Sequence, residues 1–187
     1  MSFLLQVDEG LSLRLVEPRH AEEVYAVIDR DRDDLDVWMP WARTTRSVDD
    51  TRRWATEALR AFGERRTLPL TILDHGRVAG GIGLRRIDDP DGSAEIGYWL
   101  SVQHRGRGLA TRAARLLIGY GFTELNVHRI HLWADANNAA SRAVAERLGL
   151  RLEGQFKQDT LNHLGGYRDT VMYAVLQSEW NERETAS

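Results

Sequence analysis

No cysteine occurs in the 187 residues of this chain, which removes disulfides, thiolate nucleophiles and cysteine-ligated zinc together. Lysine is nearly absent: Lys157 stands alone beside 24 arginines. Such a bias follows genome composition as readily as function, so the count alone assigns no role, although arginine is the side chain best suited to bidentate phosphate contact. No apolar run approaches the roughly 18 residues of a membrane span. The opening MSFLLQVDEG lacks the basic start and long apolar stretch of a secretory signal. A cytoplasmic protein without membrane contact is therefore expected. The balance of 25 basic against 28 acidic residues gives a net charge of −3, so nucleic acid is not expected as a direct partner. The six histidines form no HExxH pair and no other metal-ligand spacing, and no metal is expected.

What is present suits one ordinary domain. Hydrophobic residues make up 42% and charged residues 28% of the chain, enough apolar mass for a single core under a polar surface. There is no internal repeat and no low-complexity segment. The expectation is a single domain over residues 1–187, ordered from about 11 to 180, with frayed ends at 1–8 and Asn181–Ser187.

Leu11, Leu13 and Leu15 alternate with polar residues, which predicts a strand. Pro18 opens a helical stretch with Ala21, Val24, Tyr25 and Ile28 on one face. An acidic turn follows, then a Trp-rich segment and a helix over Val48–Phe62 with Ser47 as its N-cap. Pro69–Leu73, Val78–Ile87 and Ala94–Val102 read as a strand meander. Gly108–Leu125 reads as a long helix, Arg129–Ala134 as a strand, Asn138–Leu148 as a helix, and Leu150–Glu153 and Asp169–Leu176 as closing strands. This order describes an α/β domain with a mixed sheet, not a doubly wound fold.

The most informative segment, Gln103-His104-Arg105-Gly106-Arg107-Gly108-Leu109-Ala110, lies between a strand and the long helix. Glycines at 106 and 108 allow a tight turn whose successive N–H groups face outward. At a helix N-terminus such a turn binds diphosphate through unpaired amides and the positive helix end. Arg105, Arg107 and Arg112 add charge nearby. The alternative is a glycine-containing loop that happens to precede a helix. The segment is neither a Walker loop, since no GxxxxGK[ST] is present, nor the dinucleotide fingerprint, since Thr111 stands where a third glycine would be required.

QHRGRG resembles the Q/R-x-x-G-x-G/A signature of the GNAT N-acetyltransferases. Ala94-Glu95-Ile96-Gly97-Tyr98-Trp99-Leu100 resembles the strand before that signature, and Asn138-Ala139-Ala140-Ser141 with Gly149-Leu150 resembles the helix after it. Leu152-Glu153-Gly154, Lys157-Gln158 and Gly166-Tyr167-Arg168-Asp169 are similar to the C-terminal part of the bacterial ribosomal-protein (Rim-type) N-terminal acetyltransferases. The likeness runs from about Leu11 to Leu176. It implies an α+β fold with a mixed, mostly antiparallel central sheet, flanked by helices and splayed at the cofactor site. It also implies acetyl-CoA as cosubstrate and a homodimer as in the resembled branch.

Acetyl transfer to an amine requires a neutral amine, hydrogen-bond donors for the thioester carbonyl, and a proton or hydrogen bond for the departing thiolate. By the resemblance, Tyr98–Val102 backbone groups, including those of Trp99, Leu100, Ser101 and Val102, hold the pantetheine and polarise the carbonyl. The turn of Gln103, His104, Arg105, Gly106, Arg107, Gly108, Leu109, Ala110 and Thr111 then takes the pyrophosphate. Glu95 matches a position that serves as general base in some histone-acetylating relatives. Strand alternation places it with Gly97 and Trp99, where apolar neighbours would raise its pKa; a solvated strand glutamate is the alternative. Many relatives place a thiolate-protonating tyrosine where this chain has Ala145. In the Rim-type branch the serine of N-x-x-S is proposed for that role, here Ser141, with Asn138 also at the cofactor. Helix capping is the competing explanation for both residues. Asp159, shortly after Lys157-Gln158, is a further acidic candidate, beside loop solvation.

Trp38 and Trp41 are candidates for the acceptor wall, beside core packing or a dimer contact. The expected acceptor is a primary amine, most of all a protein N-terminal α-amine such as that of a ribosomal protein. A small-molecule or antibiotic amine is the alternative, and a non-catalytic acyl-CoA sensor is the reading from outside enzymology.

Overall fold

Leu11, Leu13 and Leu15 are buried while Ser12 and Arg14 between them are half-buried, the signature of a strand with one face on a core. The computed structural model describes residues 3–162 and 164–185 and folds this segment into an eight-stranded sheet. In chain order the elements are β1 (Leu4–Gln6), β2 (Leu11–Leu15), α1 (Ala21–Arg30), α2 (Arg32–Asp36), α3 (Trp41–Thr44), α4 (Val48–Gly63), β3 (Thr67–Asp74), β4 (Arg77–Arg85), β5 (Ser93–Leu100), α5 (Leu109–Thr123), β6 (Arg129–Asp135), α6 (Ala139–Arg147), β7 (Arg151–Leu161), β8 (Tyr167–Leu176) and α7 (Gln177–Thr185). The strands lie side by side as β1-β2-β3-β4-β5-β6-β8-β7. Every neighbouring pair is antiparallel except β5 and β6.

That parallel pair is where the sheet opens. Only Ser93–Glu95 of β5 pairs with Arg129–His131 of β6. Beyond Glu95 the two strands diverge, while β5 stays paired to β4 as far as Leu100. The expected splay is present, and it leaves one edge of Ile96–Leu100 without a strand partner. α5 holds the two sides together: Leu109, Ala113, Ala114, Leu117, Ile118 and Phe122 are buried in a core that also contains Ile96 on β5 and Ile130 and Leu132 on β6. The helices start as the sequence dictates. Ser47 caps α4 by accepting from the Asp50 amide at 3.1 Å, and its hydroxyl donates to the Asp50 carboxylate at 2.8 Å.

The structure corrects four expectations. The acidic turn is the short helix α2, pinned by buried Leu35. β1 and α7 occupy ends expected to fray, although residues 1, 2, 186 and 187 of those ends lie outside the described residues. Phe3 packs on Phe62 and Tyr120, and buried Trp180 packs on Phe122 with the Arg115 guanidinium over its ring at 5.6 Å. The seventh strand is 11 residues long where Leu150–Glu153 was expected. It lies at the sheet edge with nearly every residue exposed, so it carries no apolar alternation to read.

Candidate active site

β5 ends at Leu100, and a single 3-10 turn at Val102–His104 leads to the two glycines. Gly106 has φ +75° and Gly108 has φ +72°, a left-handed backbone that L side chains avoid. A Cβ at either position would meet no atom within 4 Å, so open space faces the turn. Gly108 is the residue before α5, whose first-turn amides have no carbonyl within the helix to bond. The turn therefore presents backbone amides at the start of α5 to open space. The arginines expected to assist it are each already ion-paired: Arg107 with Asp74 at 2.6 Å, Arg105 with Asp34 at 3.5 Å, and Arg112 with Asp8.

Asp31 ties this turn to the end of α1. Its buried carboxylate accepts from the Val102 amide at 3.0 Å and from Arg30 at 2.8 Å, and Arg30 in turn donates to Ser101 Oγ at 2.7 Å. The Arg30 guanidinium, assisted by Ser101 and the Val102 amide, outweighs burial and lowers the Asp31 pKa to about 2. The sequence shows Asp31 only as one of several aspartates in a charged run.

From the splay a cleft of about 910 Å³ opens across the sheet. Tyr98 of β5, Leu132 and Ala134 of β6, and Asn138 and Ser141 at the start of α6 line its inner part. Asn138 caps α6, its side-chain oxygen accepting from the Ser141 amide at 3.0 Å. Ser141 Oγ lies 3.0 Å from the Tyr98 hydroxyl. Tyr98 was expected to act only through its backbone. Burial raises its phenol pKa above the ordinary value, against smaller opposing effects of the Ser141 hydrogen bond and the Arg147 charge.

Glu95 lines the cleft from the opposite face of β5. Its surroundings are ionic rather than apolar, because the Arg85 guanidinium binds its carboxylate. Asp159 sits in a bulge of β7, where the register shifts between Phe156 and Thr160, and accepts from Thr170 Oγ1 at 2.6 Å. Thr160, Arg168 and Thr170 line the neighbouring cleft wall. Trp38 and Trp41 form the far wall with Trp54. Trp41 meets Trp99 edge to face at 5.8 Å, and the Trp99 indole occupies the space above Gly81 that a side chain there would fill. Among the described residues, no three His, Cys, Asp or Glu side chains gather as a metal site.

Residues 11–151 match the family model described as the acetyltransferase (GNAT) domain. The chain belongs to the GNAT acetyltransferase family. It is an acetyl-transfer enzyme of the GNAT type, with acetyl-CoA as cosubstrate. The Bacillus subtilis protein YdaF, named as a ribosomal N-acetyltransferase, is 34% identical over 179 residues, covering 95% of this chain and 97% of YdaF. The ribosomal-protein-serine acetyltransferase of Escherichia coli is 29% identical, covering 93% and 97% respectively. The Escherichia coli spermidine N(1)-acetyltransferase is 32% identical over 105 residues, 56% of each chain. Among solved GNAT structures, the microcin C7 self-immunity acetyltransferase MccE in complex with acetyl-CoA and AMP superposes with a TM-score of 0.86 at 25% identity, covering 92% of this chain and 95% of that one.

The GNAT cosubstrate fits the geometry. The turn offers open, amide-lined space for a diphosphate, and the unpaired edge of Ile96–Leu100 offers backbone donors and acceptors to an extended, amide-bearing arm. Beside that edge the Tyr98 hydroxyl of β5 meets the Ser141 hydroxyl at the start of α6.

Proposed function

We propose that this acetyltransferase modifies the N-terminal α-amine of a protein such as a ribosomal protein, by direct attack on acetyl-CoA in a ternary complex. The supporting observation is the reach of the likeness. Relatives named for ribosomal-protein acetylation match over 93–95% of the chain, whereas the spermidine enzyme matches over 56%. The site chemistry agrees with this reading. Both candidate bases are engaged, Glu95 by Arg85 and Asp159 by Thr170. An α-amine of pKa about 7.7–8.0 is roughly a tenth neutral at pH 7, whereas lysine, at about 10.4, supplies only a few parts in ten thousand. A site whose carboxylates are committed elsewhere suits the acceptor that deprotonates most easily.

In this reading acetyl-CoA supplies the activated acetyl group. The amides of Arg105–Ala110 bind its diphosphate, and backbone donors within Tyr98–Val102 polarise the carbonyl. Asn138 fixes the start of α6, and Ser141 donates a hydrogen bond to the sulfur. Glu95 or Asp159, through water, receives the proton that the amine loses. Trp38 and Trp41 wall the acceptor. A polyamine acceptor is the second reading. It is favoured by the spermidine relative and by the acidic groups Asp50, Glu57 and Glu95 on the cleft.

An acceptor screen with acetyl-CoA and intact-mass readout separates the two. Peptides with free N-termini beginning in Ser or Ala should gain one acetyl group at the first residue, and none once that amine is blocked while lysines remain free. Activity confined to spermidine, or acetylation of lysine side chains, would remove the α-amine reading and leave the acetyltransferase intact.

A further inference from the structure

Tyr98 and Ser141 are 43 positions apart and meet because β5 runs into α5 while α6 packs beside α5. Alternation along β5 sends Glu95, Gly97 and Trp99 to one face of the sheet and Tyr98 to the other, where α6 begins. The Tyr98 hydroxyl lies 3.0 Å from Ser141 Oγ and 3.4 Å from the Ser141 carbonyl oxygen. The serine amide is held from the other side by Asn138. Both side chains line the cleft at the end of the splay. The phenol is mostly buried and its pKa is raised, so it keeps its proton at neutral pH; it donates to the Ser141 carbonyl at 3.4 Å, and across the shorter contact to Ser141 Oγ either hydroxyl can be the donor. When it donates to Ser141 Oγ, the serine hydrogen is left to point elsewhere, and the open side is the cleft.

We infer that Tyr98 is a positioning residue for acetyl transfer, donating to Ser141 Oγ so that the serine hydroxyl is turned toward the sulfur of the departing CoA. This rests on the reading of Ser141 as the donor at that sulfur. It also accounts for alanine at position 145: the second hydroxyl comes from the strand rather than from further along the helix. The C–N bond forms as the C–S bond breaks, and the bonding pair leaves on sulfur. The surplus proton of the amine passes through water to Glu95 or Asp159, and the thiolate takes a proton from water on release. Neither hydroxyl is ionised, since a phenol whose pKa burial raises, like a serine hydroxyl, is a weaker acid than a thiol. Their contribution is a two-link hydrogen-bond chain in which each link strengthens the next.

The experiment uses CoA labelled with ¹³C at the carbon bearing the sulfur, bound to the wild type, Tyr98→Phe and Ser141→Ala, with the thiol titrated by NMR in each complex. The bound thiol in Tyr98→Phe should titrate about half a unit to one unit higher than in the wild type, and Ser141→Ala should shift it at least as far. Turnover of Tyr98→Phe should fall about 3–10-fold with CoA affinity within about twofold of wild type, and the double variant should lose nothing beyond Ser141→Ala. An unchanged thiol titration in Tyr98→Phe beside a shifted one in Ser141→Ala overturns the inference and leaves the Ser141 reading standing. If Ser141→Ala leaves the titration unmoved, the Ser141 reading falls and this inference with it. Weakened CoA binding in place of slowed turnover would make Tyr98 a packing residue.

Discussion

A single side chain in this site is defined by the group that holds it. Ser141 is placed by Asn138 through its amide and by Tyr98 through its hydroxyl, so removing its oxygen leaves the helix start intact. Ser141→Ala should lower kcat by about 10²-fold, the usual order for loss of one donor to developing charge, and change KM for acetyl-CoA by less than about threefold. Steady-state kinetics with chemistry shown to be rate-limiting checks this; an unchanged kcat would leave Ser141 a helix-start residue only. Asp31 is the complementary case, a buried carboxylate whose work is structural. Its pKa is lowered from 3.8 to about 2, so its contribution is complete above about pH 4 and is lost as the pH falls through about 2. A gap of this size corresponds to about 2 kcal/mol. Asp31→Asn should cost about that much in urea unfolding at pH 7, and the deficit should shrink as the pH drops below about 4. A deficit that persists unchanged at pH 3 would show that the charge of Asp31 is not what stabilises the turn.

Elements announce themselves in the sequence when one face is buried and the other wet. β2, α1, α4 and α5 have that asymmetry, and the pattern places them to within a few residues. β7 lacks it because both faces are exposed, and α7 lacks it because Trp180 is its one buried side chain among the described residues while Gln177, Glu179 and Arg183 hold it by polar contacts. The glycine turn was legible for a different reason. Its function needs a backbone conformation, and glycine is the residue that reaches it. The Tyr98–Ser141 pair was not legible, because strand parity gives a side and only the packing of α6 on that side gives a partner. The same distinction makes the turn testable. Gly108→Ala puts a methyl group into open space at φ +72°, so it should cost about 1 kcal/mol of stability and little CoA affinity. Gly108→Val adds bulk where the diphosphate approaches and should weaken CoA at least tenfold, about 1.4 kcal/mol. Calorimetry that finds equal CoA affinity in Gly108→Val and the wild type would move the diphosphate elsewhere.

At the scale of the whole molecule, the sheet is two sheets that share one short seam. β1 to β5 form one side and β6, β8 and β7 the other, joined along three residue pairs at Ser93–Glu95 and bridged by α5. Where a continuous sheet would carry a further ladder there is a cleft, and the backbone edge of Ile96–Leu100 faces it. A ligand that lies along that edge and anchors at the glycine turn replaces the missing contacts, so its stabilisation should be local in place and global in effect. At a CoA concentration about 100 times Kd, mass action gives about 2.7 kcal/mol, which for a chain of this length raises Tm by roughly 5–10 °C. Amide hydrogen exchange should show where this arises. Protection should concentrate on Gly97–Val102 and Arg105–Thr111, with smaller gains where β6 faces the cleft and none on β1, far across the sheet. Because the acceptor takes no part, the pattern should be the same with CoA alone. Protection spread evenly over all eight strands would mean that CoA only suppresses global unfolding. Protection confined to the turn would mean that the diphosphate binds but the arm does not lie in the splay. Protection of both segments together requires one ligand to span the 3-10 turn at Val102–His104, and that span joins the anion cradle to the two hydroxyls at the start of α6.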